Sequence, residues 1–191
     1  MKISLVSLLL LLSLPLFAQR LAPLPDSMQE HLKIYQKLPS THVFEPIDET
    51  EPGTPLLLMV EVFARDCDCP FSNEAIFMTQ TSAAGVYDLS SKGDWTAARL
   101  KGTIQTDAKG RYLIRSILPG TYPNSTTANP HIHLMIEALE QPYYDIVFAP
   151  YLNRYGKRDL AKKPDEHFAA TLWQGSDNQQ LGYVRIYVAP N

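Results

Sequence analysis

His131-Ile132-His133-Leu134-Met135-Ile136 is the stretch whose reading decides the fold. An apolar run of this kind reads as a β-strand, in which alternate side chains leave opposite faces, so both imidazoles leave the same face and form a chelating pair. The unbroken apolar character from Leu134 to Ile136 predicts a strand with little solvent on either side. Working outward, similar runs predict strands over 56–64, 75–81, 101–106, 111–118, 131–138, 144–149 and 183–189. Gly, Pro and Asp clusters separate them with no helical run between, which predicts an all-β fold, a single β-sandwich domain. The sequence has no internal repeat and no low-complexity tract.

Upstream of the strands, 26–38 predicts a short surface helix. Ser27 and Glu30 have capping-box spacing, and Met28, Leu32 and Tyr35 share a face. The Pro-, Gly- and acid-rich stretch 41–55 predicts a connector. Lys2, the apolar run Ile3–Phe17 and Ala18 have the layout of a secretory signal cleaved after Ala18. That run contains Pro15 and is shorter than the roughly 20 residues of a membrane-spanning helix, so no membrane span is expected after cleavage. The expected organisation is a signal peptide at 1–18, a helix and connector at 19–52 and a sandwich domain at 53–191, in an exported protein, periplasmic or secreted. The 191-residue chain carries a net charge of -3, with a pI near 5.9, and offers no electrostatic footprint for nucleic acid. Cys67 and Cys69 are the only cysteines. They suit a tight local disulfide or two free thiols better than a soft-metal site, which would need further cysteines.

Two tyrosines complete the candidate chemistry. Tyr122 lies in LPGTYP, where Pro119-Gly120 marks a tight turn and Pro123 stops a strand ladder; Tyr87 follows Gly85 in AAGVYD. Taken singly, either is an ordinary core or rim aromatic, and His-x-His can simply line a groove. Taken together, Tyr87, Tyr122, His131 and His133 offer one metal two phenolates and two imidazoles. Neutral imidazole suits Zn, Cu, Fe and Ni, but a phenol deprotonates near neutral pH only beside a strongly acidic cation, and ferric iron fits best.

From about Gly53 to Phe148 the chain resembles the intradiol ring-cleavage dioxygenases, the family of the catechol and protocatechuate enzymes. LLLMVEVFARDCDCP (56–70) resembles its opening strand and Cys-Pro turn, and AIFMTQTSAAGVY (75–87) the strand ending at its first iron-binding tyrosine. TDAKGRYLIRSILPGTYP (106–123) resembles the segment carrying the second, and NPHIHLMI (129–136) the paired histidines. The resemblance implies Fe(III) held by Tyr87, Tyr122, His131 and His133, and cleavage of a catechol-type substrate by O2 to a muconate-type diacid. It further implies that Tyr122 leaves the metal and accepts a substrate proton while Tyr87 stays, and that homo-oligomers can form.

The departures from the family pattern touch the pocket. Ala128-Asn129-Pro130 stands where the aromatic enzymes commonly have Arg-Pro-Ala, and their arginine stabilises charge developing on the ring; Arg115 is the candidate substitute. Tyr144-Asp145 stands for Thr-Gln, and Thr79 for a tryptophan. Each histidine needs a partner for its second nitrogen, which the sequence does not identify. Two other readings remain at this stage. One is an iron-binding homologue without turnover. The other is a metal-free transthyretin-like or carboxypeptidase-regulatory-like module, in which Tyr112 and Tyr122 are core or corner aromatics. His31, His42 and His167 read as surface imidazoles, Trp95 and Trp173 as cover for the core or sheet edges, and the charged run 156–167 as a loop at the mouth or in solvent.

Overall fold

The computed structural model describes residues 20–87 and 95–189. The expected signal peptide at 1–18 lies outside them. Ten strands follow one another: β1 (Val43–Phe44), β2 (Pro55–Ala64), β3 (Cys69–Pro70), β4 (Ala75–Gln80), β5 (Leu100–Gln105), β6 (Arg111–Ile117), β7 (His131–Met135), β8 (Tyr143–Phe148), β9 (His167–Gln174) and β10 (Gln180–Val188). Among the described residues, two α-helices accompany them, α1 (Asp26–Tyr35) and α2 (Arg154–Lys162). The strand order is β1-β6-β2-β10-β9-β8-β7-β4-β5, with β3 paired to β2. β9 changes sheets along its length: 167–170 pair with β8, and 171–174 with β10. This joins the two layers of the expected β-sandwich. Among the described residues, no helix is long and apolar enough to cross a membrane.

Strand parity organises the core. Leu56, Leu58, Val60 and Val62 of β2, Tyr112 and Ile114 of β6, and Val184, Ile186 and Val188 of β10 face inward from one layer. Ile76 and Met78 of β4, Ile132 and Leu134 of β7, and Tyr144, Ile146 and Phe148 of β8 meet them from the other. The outer face of the first layer is covered by α1, whose Met28, Leu32 and Tyr35 pack with Leu57, Met59, Leu113 and Leu181. Burying apolar surface on both faces of that layer accounts for its near-continuous apolar strands. The outer face of the second layer carries the odd-numbered residues of β4, β7 and β8, and there Thr79, His133, Asp145 and His167 stand in one row across four strands.

Several expectations need correction. The capping box does not form: α1 has no side-chain cap, Met28 N–H donates to the Pro25 carbonyl at 2.9 Å, and Glu30 instead pairs with Lys33 at 2.6 Å. The helix ends at Tyr35, and the expected 131–138 strand stops at Met135 because Ile136 N–H bonds Pro142 O across a turn. The charged run read as a loop begins inside α2, capped by the Asn153 side chain on the N–H groups of Tyr155 and Gly156. β9 was not anticipated; its sequence HFAATLWQ is mixed on both faces because each half meets a different sheet. Cys67 and Cys69 form the local disulfide, at the turn between β2 and β3.

Two features fix the ends of β6. Asp107 closes the turn before β6: one carboxylate oxygen accepts the N–H groups of Lys109 and Arg111, and the other accepts the Arg111 guanidinium at 2.6 and 2.9 Å. Burial alone would raise the Asp107 pKa, but these hydrogen bonds outweigh it and hold the carboxyl below its usual range. The second feature lies at the opposite end of β6, where the loops carrying Tyr87 and Tyr122 pack backbone against backbone. Gly85 and Gly120 N–H both donate to Ser82 O at 2.9 Å, Thr81 Oγ1 donates to Gly120 O at 2.8 Å, and Gln80 Nε2 donates to Ile117 O at 3.0 Å. A Cβ on Gly85, whose φ is +77°, would fall on the Thr121 carbonyl, and one on Gly120 would fall between Ala83 O and Gly85 N.

Gly120→Val is therefore expected to force the two loops apart and lower stability by about 2 kcal/mol or more, read as a reduced urea midpoint. Asp107→Asn should cost about 1.5–3 kcal/mol at pH 7. Because the folded pKa of Asp107 lies below the unfolded value, its contribution is complete above the unfolded pKa near about 4 and fades as pH falls through the folded pKa. The gap between wild type and Asp107→Asn should accordingly shrink in acid denaturation series taken from pH 5 downward.

Candidate metal centre

Strand β7 delivers His131 and His133 to the outer face because Ile132 and Leu134 fill the core between them. The ring nitrogens facing away from the site are both engaged. His131 Nδ1 donates to the backbone carbonyl of Asn129 at 2.7 Å, and His133 Nδ1 donates to Asp145 Oδ1 at 2.6 Å. These supply the two partners that sequence reasoning could not name. With Nδ1 protonated on both rings, each Nε2 carries a lone pair, and the two atoms stand 3.2 Å apart. Two lone pairs aimed at one point repel unless a proton or cation lies between them.

Tyr122 reaches the histidine pair, and Tyr87 reaches Tyr122. Tyr122 Oη is 2.9 Å from His131 Nε2 and 2.8 Å from Tyr87 Oη. Tyr87 lies nearly parallel to the His133 ring, with centroids 6.2 Å apart. Donor atoms about 2.0–2.2 Å from one cation sit about 2.8–3.5 Å from each other at right-angled or tetrahedral positions, and the observed separations fall in that range. All four side chains that the sequence singled out are thus brought together. Among the described residues, no group of three or more His, Cys, Asp or Glu side chains is arranged to hold a metal, so the candidate set depends on its two phenols.

The electrostatics say what kind of cation the set could hold. Burial raises the pKa of both phenols; for Tyr87, the hydrogen bond with Tyr122 and the Asp145 charge raise it further, whereas for Tyr122 the bond from Tyr87 partly opposes burial. Burial, aided by the neighbouring His133, lowers the pKa of His131 and keeps it neutral. Burial would raise the Asp145 pKa, but the hydrogen bond from His133 opposes it, and the carboxyl is held below its usual range. Only a strongly acidic cation would deprotonate these phenols near neutral pH, and the donor set fits such an ion.

A pocket of about 210 Å³ opens beside this cluster. Tyr122 and His131 line it, Tyr87 does not, and Val147 and Asp145 lie beside them on β8. Asn129 ties its wall together: Oδ1 accepts the Asn153 N–H at 2.8 Å, while Asn153 Nδ2 donates back to Thr127 O at 3.2 Å. Helix α2 is thereby held over the pocket and contributes Gly156 and Asp159. Ala128 lines the pocket at the place of the family arginine, and Arg115 does not replace it, since it pairs with Glu45 on an exposed face at 3.1 Å. Two residues and one segment read as peripheral belong here or near it. His167 lines the pocket 3.5 Å from Asp145 Oδ2; Trp95 packs on the His133 ring with centroids 5.2 Å apart; the run 156–167 lies at the mouth and contributes Gly156, Asp159 and His167 to the pocket lining. Trp95 covers the ring beside Thr79, whose small side chain lies opposite His133. Asp145 carried a usable signal, as the only charge in the apolar strand YDIVF. His31 remains exposed, and His42 bonds the Gln105 carbonyl away from the site.

A dioxygenase family model, Dioxygenase_C, matches residues 34–144. No curated protein sequence matches. Among solved structures, the dioxygenase domain of a dioxygenase carbohydrate-binding protein fusion from Streptomyces sp. SirexAA-E superposes with a TM-score of 0.56 at 20% identity, over 78% of this chain and 88% of that one. The 3-chlorocatechol 1,2-dioxygenase of Rhodococcus opacus 1CP gives a TM-score of 0.56 at 20% identity, over 78% of this chain but only 64% of the enzyme's. An intradiol ring-cleavage dioxygenase from Tetranychus urticae gives 0.52 at 13% identity, over 75% and 85%. At these identities the superpositions speak for a shared fold, and the family match spans more than half of the sequence; the chain belongs to the intradiol dioxygenase family.

Proposed function

We propose that this protein is an exported, non-haem Fe(III)-dependent intradiol dioxygenase that cleaves a catechol-type diol with O2 to a muconate-type diacid. Tyr87, Tyr122, His131 and His133 are its ligand set. The observation that carries the proposal is the convergence of two Nε2 lone pairs and two phenol oxygens within 2.8–3.2 Å steps. When bound, ferric iron supplies Lewis acidity and orients the chelated diol for reaction with O2. The reaction balances without another reductant, since both atoms of O2 end in the diacid. The Cys67–Cys69 disulfide agrees with an oxidising, exported setting.

The protein's residues have distinct tasks. Asn129 O and Asp145 Oδ1 hold the two imidazoles in one tautomer, so neither can swing its Nε2 away. Tyr122 lines the pocket and is the phenolate placed to accept a proton from a substrate hydroxyl, at Oη. Tyr87 lies behind it, stacked on His133, and is the ligand that stays. Asn129, Asn153 and α2 form the wall of the pocket beside the cluster. A reading as an iron protein without turnover has one specific observation in its favour: among the described residues no Arg or Lys lines the pocket to replace the cation at the Ala128 position.

Ferric loading should turn the concentrated protein red to brown through tyrosinate charge transfer; a colourless loaded protein rules out both iron readings. Catechol added without oxygen should shift the visible band, and oxygen should then be consumed as the ring absorbance bleaches; a shift with no oxygen uptake favours the protein without turnover. Tyr87→Phe should weaken the band and lower iron retention, measured by metal analysis after dialysis. Asp145→Asn, which leaves His133 less well oriented, should cost about 10–100-fold in iron affinity.

A further inference from the structure

The pocket beside Tyr122 is built from successive strands, and their register determines which part of a bound molecule each residue meets. His133 on β7 stands next to Asp145 on β8, which stands next to His167 on β9; Val147 pairs with His131. Neighbouring strands lie about 4.8 Å apart, so His167 is rooted about 10 Å from His133 across the sheet. A flat diol whose oxygens sit at the Tyr122–His131 end therefore lies over Val147 and turns its far edge toward His167 and, from α2, Asp159.

Both groups at that far end accept hydrogen bonds. The Asp159 carboxylate can only accept. His167 Nδ1 lies 3.5 Å from Asp145 Oδ2, and the Nδ1–H tautomer of the ring offers Nε2 as an acceptor. Among the described residues, no lysine or arginine lines the pocket. Arg158 approaches Asp159 no closer than 3.7 Å, between two exposed side chains, so it screens that carboxylate weakly. Lys162 and Lys163 line the next cavity outward, whose other walls are Asp159 and His167 themselves; Lys163 is paired with Glu166 at 2.7 Å. Asp145, α2 and His167 all lie beyond residues 34–144, the span of the family match.

We propose that His167 and Asp159 form a specificity subsite that selects catechols bearing a hydrogen-bond-donating substituent, ammonium or hydroxyl, on the ring edge opposite the diol oxygens. The proposal rests on the catechol reading of the site. Donors there meet two acceptors in a pocket that has Ala128 at the place of the family arginine, whereas a carboxylate at the same place faces the Asp159 carboxylate with no cation among the described lining residues.

The test uses the ferric-loaded protein without oxygen, titrated with catechol, 4-methylcatechol, 4-(hydroxymethyl)catechol, 4-(aminomethyl)catechol and 3,4-dihydroxybenzoate, with Kd read from the visible band and by calorimetry. The aminomethyl compound should bind at least about tenfold more tightly than the methyl compound, as one charge-assisted hydrogen bond implies. The hydroxymethyl compound should fall between them and the carboxylate should be weakest. Asp159→Asn, a change at an exposed helix position, should collapse the ratio of aminomethyl to methyl affinity; His167→Leu should collapse the hydroxymethyl ratio. Equal Kd values for the methyl and donor compounds, tightest binding of the carboxylate, or ratios unchanged in both variants would overturn the subsite while leaving the catechol reading intact. Failure of catechol itself to bind would overturn both.

Discussion

The two-residue period of strand β7 is the constraint on which the rest depends. Ile132 and Leu134 are fully or almost fully buried between the layers, so the backbone pleat has no freedom in where it sends His131 and His133. A slip of one residue would bury both imidazoles among Ile76, Ile146 and Phe148 and put two large aliphatic side chains into the pocket. Packing the core and aiming the candidate ligands are therefore one event. The same parity carries Asp145 and His167 to the outer face, because Tyr144, Ile146 and Phe168 occupy the inner one.

The other half of the cluster depends on loops rather than strands. Tyr87 and Tyr122 are 35 residues apart, and they meet because two turns share Ser82 O and touch at Gly85 and Gly120. Neither turn has room for a side chain at the contact. A strand pair and a loop pair, assembled by different forces, thus present four donor atoms to one point. Burial keeps the phenols protonated and His131 neutral in the absence of a cation, so a cation that binds there must displace phenolic protons. That requirement, more than the geometry alone, argues for a strongly acidic ion.

Much of this was legible in the sequence, for reasons that differ from residue to residue. His131 and His133 were readable because i and i+2 share a strand face whatever the strand pairs with. Tyr87 and Tyr122 were readable only through the order and character of four motifs, since an isolated tyrosine after a Gly turn says little. The turn at Asp107 has its reason in tertiary detail, a carboxylate bonded to two N–H groups and to Arg111. Helix α2 was hidden by its charge: RYGKRDLAK has no apolar stripe to betray it, and its start is set by Asn153 and its anchorage by Asn129. His167 and Trp95 were assigned to the surface or to general cover because nothing local to them specifies which strand or ring they will meet.

The sequence by itself determined the class of fold, the shared face of the two histidines and the identity of the four candidate ligands, because these follow from side-chain periodicity and from donor chemistry carried within short motifs. Only the tertiary structure decided which groups hold the imidazoles, which tyrosine faces the pocket, and what stands at its far end. Those are relations between strands β7, β8 and β9, two loops and a helix. They are settled by sheet register and by backbone contacts between residues far apart in the chain, which no local pattern encodes.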